Sequence, residues 1–373
     1  LEKRNGETPF STLVIKKLDL YIIKKFLGTF AFMIGAFVVI AVVFDLSENI
    51  DDFLKSNAPV SRILVEYYIN FCFYFGNLLS SFIIFLTIIW FTSKLAQKSE
   101  IIAMLSGGIS YSRILKPYFM AATILVALSL FLGHYLVPRA NRIKYDFEVE
   151  FLKGAIIVAD QNLHREIEPG TIAHFYKVNP NTLSGSNFSL EKWKNGKLKL
   201  KILSSGATFH PEKGTWTINN AQIRTFEKDG KETLVEKAQL DTVLPMTIED
   251  FGMRSEVISA MTTSELSDFI EEQKQSGSGK VTQFEVEKYS RTSNAFSIFV
   301  LTLIGVAIAS RKSRGGTGLH LMLAVIVGFI FIFVSRMATV SAMNLGFPVT
   351  IAVWVANILF TFVGLYLYSK AQK

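Results

Sequence analysis

The chain has 373 residues, of which 50% are hydrophobic and 19% charged, with 24 Gly, 9 Pro, 32 Phe, a single Cys and a formal net charge of +8. That balance excludes a collagen-like, disordered or disulfide-stapled chain and is too apolar for an ordinary soluble enzyme. The apolar excess lies in residues 1–138 and 292–373, which leaves a middle section of soluble character.

Six stretches free of Asp, Glu, Lys and Arg are long enough to cross a bilayer core, which takes about 20 helical residues. They are 26–44, 67–93, 117–138, 292–310, 315–335 and 337–369. The first extends back to residue 20 because Lys24 and Lys25 can snorkel to the headgroups. A cleaved secretory leader explains this run less well, since acidic Asp45, Glu48, Asp51 and Asp52 follow it without a small-residue cleavage pattern.

Basic residues alternate in density across the spans. Lys3, Arg4, Lys16, Lys17, Lys24, Lys25, Lys94, Lys98, Arg113, Lys116, Arg311, Lys312, Arg314, Lys370 and Lys373 fall on one side. The short loops opposite hold only Lys55 and Arg62, with Arg336 at the boundary between spans five and six. The positive-inside rule then places both termini in the cytoplasm and the middle section outside. The net charge is a topology signal and not a nucleic-acid footprint.

Between spans two and three, Lys98-Ser-Glu-Ile-Ile-Ala-Met-Leu-Ser-Gly-Gly-Ile-Ser-Tyr-Ser-Arg113 predicts a short cytoplasmic helix beginning after Ser99. Ile101, Ile102, Met104 and Leu105 form its apolar side, Glu100 suits its positive end, and Gly107 and Gly108 end it or admit a close backbone. Two readings stay open on the residues alone: a docking element for a soluble partner, and an interfacial helix lying in the headgroups.

From residue 139 to about 287 short polar and β-branched runs alternate with turn residues. Strands are expected at 155–159, 171–178, 197–202, 207–210, 215–218, 222–227 and 233–240. Pro180-Asn181, Asn195-Gly196, Lys213-Gly214 and Asp229-Gly230 mark turns. The pattern predicts an antiparallel sandwich, jelly roll or partly open barrel. A helix over 263–273, capped by Thr263 or Ser264, a flexible turn at 276–280 and a helix over 284–294 lead back to the membrane. The second inner loop, 310–318, is basic and glycine-rich, suited to anionic lipid. Arg336, between two apolar runs, could face a cavity that accepts an anionic headgroup or snorkel at the boundary.

Catalytic constellations are missing from the sequence. Five His and one Cys show no metal-ligand spacing, and neither a P-loop nor a dinucleotide fingerprint is present. ATP-driven work would need a partner. Cys72 reads as a small buried hydrophobe. His134 and His320 fall within apolar stretches and read as hydrogen-bonded interfacial histidines, with a proton path as the alternative. His164, His174 and His210 read as ordinary sheet or loop residues.

The chain resembles the LptF/LptG family, paired permease subunits of the lipopolysaccharide-export ABC transporter. The likeness rests on Leu20-Tyr-Ile-Ile-Lys-Lys-Phe-Leu27, the segment from Ser99 to Ile114, the domain after span three, residues 310–318 and Trp354-Val-Ala-Asn357. Two departures are Asn294-Ala-Phe-Ser297 and Ala356, where the family often has proline.

The resemblance implies a polytopic α-helical membrane protein with six spans in a 3+3 arrangement and an inserted, jelly-roll-like periplasmic antiparallel β domain. Residues 1–138 would carry spans one to three and a coupling helix near 99–108, 139–291 the periplasmic domain and return helix, and 292–373 spans four to six. It further implies a non-enzymatic transport subunit in the inner membrane of a Gram-negative bacterium. Glu100, Ile101, Met104, Leu105, Gly107 and Gly108 would couple it to a cytoplasmic ABC ATPase dimer that alone uses ATP and Mg. A second related permease and a periplasmic bridge component would complete the path for lipopolysaccharide. Lys24, Lys25, Arg62 and Arg336 are candidates for its cavity or gate. A permease for another lipid or lipoprotein is the nearest alternative, and a membrane-anchored envelope assembly protein the non-transport one.

Overall fold

The computed structural model describes residues 16–152, 162–179, 182–227, 231–248, 251, 255–275, 281–312 and 315–371. Six helices are long and apolar enough to cross a membrane, and a six-stranded sheet lies between the third and fourth. In chain order the helices are α1 (Lys17–Lys55), α2 (Val60–Gln97), the short α3 (Glu100–Ser106) and α4 (Tyr111–Leu152). After the sheet come α5 (Ser255–Ser259), α6 (Thr263–Gln275), α7 (Val281–Ala309), α8 (Gly316–Leu345) and α9 (Val349–Lys370).

Several helices outrun their apolar stretches. Span three does not stop at Pro138: α4 continues to Leu152, and a π-helical turn at Leu132–Leu136 precedes the proline that cannot donate a backbone hydrogen bond. A similar turn at Ile63–Tyr68 opens α2, where Asn70 Nδ2 donates to the carbonyls of Glu66 (2.8 Å) and Val65 (3.2 Å). The expected break at Arg336 is absent. α8 runs through it to Leu345, and the reversal comes at Gly346, with φ +69°, before Pro348. Span six is therefore α9, starting at Val349 instead of residue 337. One arginine does not interrupt a helix whose backbone bonds are satisfied internally.

α7 and α2 form the centre of the helical body, and α1 and α8 lie at its edges with little of their length buried. Ser293, Ser297, Gly305 and Ala309 give α7 small buried residues along one four-residue row, interrupted by the buried Leu301. A Cβ on Gly305 would stand 2.8 Å from Ile88 Cγ2, which shows how closely α2 and α7 approach.

The sheet is an antiparallel meander in which every strand pairs with its neighbour in sequence. Its strands are β1 (Leu163–Glu168), β2 (Thr171–Asn179), β3 (Ser184–Lys194), β4 (Lys197–His210), β5 (Thr215–Phe226) and β6 (Glu232–Thr242). Among the described strands this is one sheet with one buried face, without a second sheet packed on it. Phe175, Phe188, Leu190, Ile202, Trp216 and Ile218 line that face beneath Met246, Ile248 and Phe251. Asn195 and Gly196, both at positive φ, make the predicted tight turn between β3 and β4.

Strands expected as separate pieces are continuous. Where the β4–β5 ladder is interrupted without a change of register, Asn220 takes φ +51°, while Ser204 Oγ accepts from Gly206 N–H (3.0 Å) and donates to the Asn219 carbonyl (2.5 Å). β1 and β3 were not expected, because Ser, Gly and Asn dilute the alternation in β3 and β1 is a short edge. The strand expected at 155–159 and the turns at 180–181, 229–230 and 276–280 lie outside the described residues. The cap of α6 is Thr262, one residue earlier than expected: its N–H donates to Glu265 Oε2 (2.8 Å), and Glu265 N–H returns a bond to its hydroxyl (3.4 Å).

Candidate functional site around the short helix α3

Ser99 turns the chain sharply from α2 into α3 at φ +58°, and its hydroxyl accepts from Lys312 Nζ of the α7–α8 loop (3.2 Å). At the other end Gly108 N–H donates to the Leu105 carbonyl (3.0 Å) and Ile109 N–H to the Met104 carbonyl (3.1 Å). This is a Schellman closure, and the φ of +81° at Gly108 explains the glycine there.

The two faces of α3 differ from the sequence expectation. Ile101 is 2% exposed, and Met104, Leu105 and Ile109 pack with it against α1, α2 and α4. These residues seat the helix on the chain's own core, so Ile101 is not part of its outward surface, and Met104 and Leu105 are half-buried at its edge. Ile102, Ala103, Ser106, Gly107 and Gly108 are exposed, and Ile102 is the one large apolar side chain among them. Seven residues make two turns, too few for the sequence to say which isoleucine faces in.

Contacts from α1 surround this element. Tyr21 OH donates to Glu100 Oε2 (3.2 Å) and accepts from Lys25 Nζ (2.7 Å), which also lies 4.6 Å from the tyrosine ring centroid. Asp19, 3% exposed, accepts two bonds of 2.6 Å from the Arg113 guanidinium and one of 3.0 Å from Lys16 N–H. Tyr111 OH and Ser310 Oγ, 3.1 Å apart, tie the start of α4 to the end of α7. Sequence reasoning missed Asp19 and Tyr21, and it named Ile102 on the apolar side of α3 without separating it from Ile101. An acid three residues after the cap of α1 was the available signal for Asp19.

The candidate cavity residues do not converge. Lys24 and Lys25 are exposed on the first turns of α1, and Arg336 is exposed on α8. Arg62 is spoken for: it pairs with Glu66 (2.8 Å) and Glu150 (2.7 Å) and lies 4.7 Å from the Phe151 ring centroid. Two carboxylates already neutralise it, so it is not a free cation for a phosphate. Among the described residues no group of three or more His, Cys, Asp or Glu is placed to hold a metal ion.

Polar contacts fasten the return helix α6 to its helical neighbours. Arg142 pairs with Glu265 at 2.8 Å. The Thr262 backbone N–H, together with Arg142, holds the Glu265 carboxyl down at about 2. His134 bridges Thr263 Oγ1 (2.7 Å) and Thr292 Oγ1 (3.3 Å), an interfacial hydrogen-bonded histidine between α4, α6 and α7. His320 is buried against Ser93 Oγ at 2.8 Å. His164 and His174 face each other across β1 and β2 with ring centroids 4.3 Å apart, and burial followed by the His164 neighbour lowers the His174 imidazole.

Comparison with known proteins agrees with this architecture. The chain is 21% identical over 282 residues to the Lipopolysaccharide export system permease protein LptG of Haemophilus influenzae, a match covering 75% of this chain and 78% of that protein. To the protein of the same name from Escherichia coli K12 it is 18% identical over 277 residues, or 74% and 77% of the two chains. The family described as Lipopolysaccharide export system permease LptF/LptG matches residues 20–370, from the first turn of α1 to the end of α9. The six-helix membrane body, the inserted β domain and that match together place the chain in the LptF/LptG permease family.

Proposed function

We propose that the protein is a permease subunit of an ABC transporter that extracts lipopolysaccharide from the inner membrane and passes it toward the outer membrane. The observation that carries this reading is α3: one side locks into the chain's own core, while the other presents Ile102, Ala103 and Ser106. Such an element can be pushed by a soluble partner without unfolding. That partner is a cytoplasmic ATPase dimer, which binds and hydrolyses ATP with Mg, so this chain is a mechanical subunit and not an enzyme. Glu100, at the start of α3, and Gly107 and Gly108, at its end, border the docking face.

A second related permease completes the chamber. The exposed apolar faces of α1 and α8, with Phe32, Val39 and Val43 on one and Phe329 and Phe333 on the other, suit that neighbour and the acyl chains entering beside it. Lys24, Lys25 and Arg336 are the exposed cations of the proposed lipid path, positioned to meet phosphate groups. The β domain stands on the periplasmic side, with both termini cytoplasmic by the distribution of Lys and Arg. β6 is an edge strand with Leu234 and Val235 exposed, a surface suited to strand addition by a periplasmic bridge component.

The test is purification of the full chain from its native membrane with identification of what accompanies it. An ATPase, a second permease of this architecture and lipopolysaccharide are expected. Recovery of the chain with periplasmic proteins alone would replace the transporter reading with that of an envelope anchor.

A further inference from the structure

Within its own subunit the first span is buried only near its two ends, and between them it is touched along one side, through Phe37, Ala41, Val42 and a hydrogen bond that Tyr67 OH donates to Asp45 (3.2 Å). Asp19, Ile22, Ile23 and Phe26 are buried at the inner end and Phe53 at the outer, and none of residues 27–52 is buried. A rod gripped in this way swings when one grip moves. The inner grip lies against α3, the element on which an ATPase would act.

Beside the apolar packing of Ile22, Ile23 and Phe26, two polar contacts belong to that grip. The Lys25–Tyr21–Glu100 chain reaches the beginning of α3, but its members are exposed and screened by solvent. The Asp19–Arg113 contact is of another kind: a two-pronged, charge-assisted pair whose carboxylate side chain is 4% exposed. Arg113 lies in the first turn of α4, five residues beyond Gly108, where α3 is closed. Asp19 also holds the Lys16 N–H at the start of α1, so its carboxylate joins the start of α1 to the start of α4. Removing either partner leaves an uncompensated group at a buried junction.

We propose that Asp19 and Arg113 are positioning residues that tie the start of α1 to the first turn of α4, directly after the α3 loop, so that displacement of α3 is delivered to α1 and moves the exposed apolar face beside which lipid enters. This inference rests on the transporter reading above.

The test uses the full chain with its co-purifying partners in proteoliposomes containing lipopolysaccharide, with ATP hydrolysis and lipid released per ATP both measured. For Asp19→Asn the complex should still assemble and hydrolyse ATP, while lipid released per ATP falls about fivefold or more. Arg113→Lys, which keeps the charge and loses the fork, should give an intermediate ratio and supplies the reading should Asp19→Asn not accumulate. An unchanged ratio in an intact complex overturns the link. So does a loss of hydrolysis and release in equal proportion, which would assign the pair to folding alone. Absence of an ATPase from the wild-type complex would overturn the transporter reading itself, and the link with it.

Discussion

Replacing Ile102 by alanine separates docking from packing on α3. Ile102 is 43% exposed, so that share of its side chain is still available to a partner. Full burial of an isoleucine contributes about 1.5–3 kcal/mol, and the exposed share therefore corresponds to about 1 kcal/mol, or about a fivefold change in dissociation constant. Ile102→Ala should weaken binding of the purified ATPase to the detergent-solubilised permease by that factor and leave the permease's own melting temperature nearly unchanged. Ile101, 2% exposed within the core that α3 shares with α1, α2 and α4, should behave in the opposite way. Ile101→Ala costs about 2–5 kcal/mol of stability through the cavity it opens. Titration of immobilised permease with the ATPase, alongside thermal melts of both variants, decides the matter. Unchanged affinity for Ile102→Ala, together with weakened affinity and an unaltered melt for Ile101→Ala, would refute the assignment of faces.

Three further expectations concern the body of the protein. Trp216→Phe removes the Nε1–H bond to the Met246 carbonyl (3.0 Å) in a fully buried site and should cost the β domain about 1–3 kcal/mol in denaturant unfolding. An equal midpoint would show that the carbonyl finds another donor. Gly305→Leu forces a branched side chain into the α2–α7 contact and should lower stability by about 1–3 kcal/mol. An unaltered melt in detergent would contradict so close a crossing. The Glu265 carboxyl, held at about 2 instead of its ordinary 4.5, gives a pH signature. Between those values the unfolded chain binds more protons, so this contribution is present above the ordinary value and is lost as pH falls toward about 2. Glu265→Gln should flatten the pH dependence of the melt in that interval, and parallel curves for the two proteins would contradict it.

Much of this protein was legible in its sequence because bilayer insertion and strand alternation are local constraints. Long charge-free runs identify helices whatever they pack against, and Asn195-Gly196 specifies its turn through the positive φ that both residues adopt. Helix ends were less legible. A charge such as Arg336 marks the edge of an apolar run, whereas backbone hydrogen bonding carries α8 nine residues further, to Leu345. The six-residue alternation Lys197–Ile202 exposed one strand, but serine, glycine and asparagine hid its neighbour β3, whose place depends on pairing across the sheet.

At the candidate site the division is sharper. Residues 99–108 are enough to place an amphipathic helix with an acidic start and a glycine finish between spans two and three, because caps and turn residues act within a few positions. That Ile101 points inward and Ile102 outward, that Arg62 is already neutralised by Glu66 and Glu150, and that Asp19 meets Arg113 from 94 residues away are outcomes of packing. Those outcomes depend on which helices are neighbours. That is set by summed packing over the whole membrane body, and no local stretch of sequence encodes it.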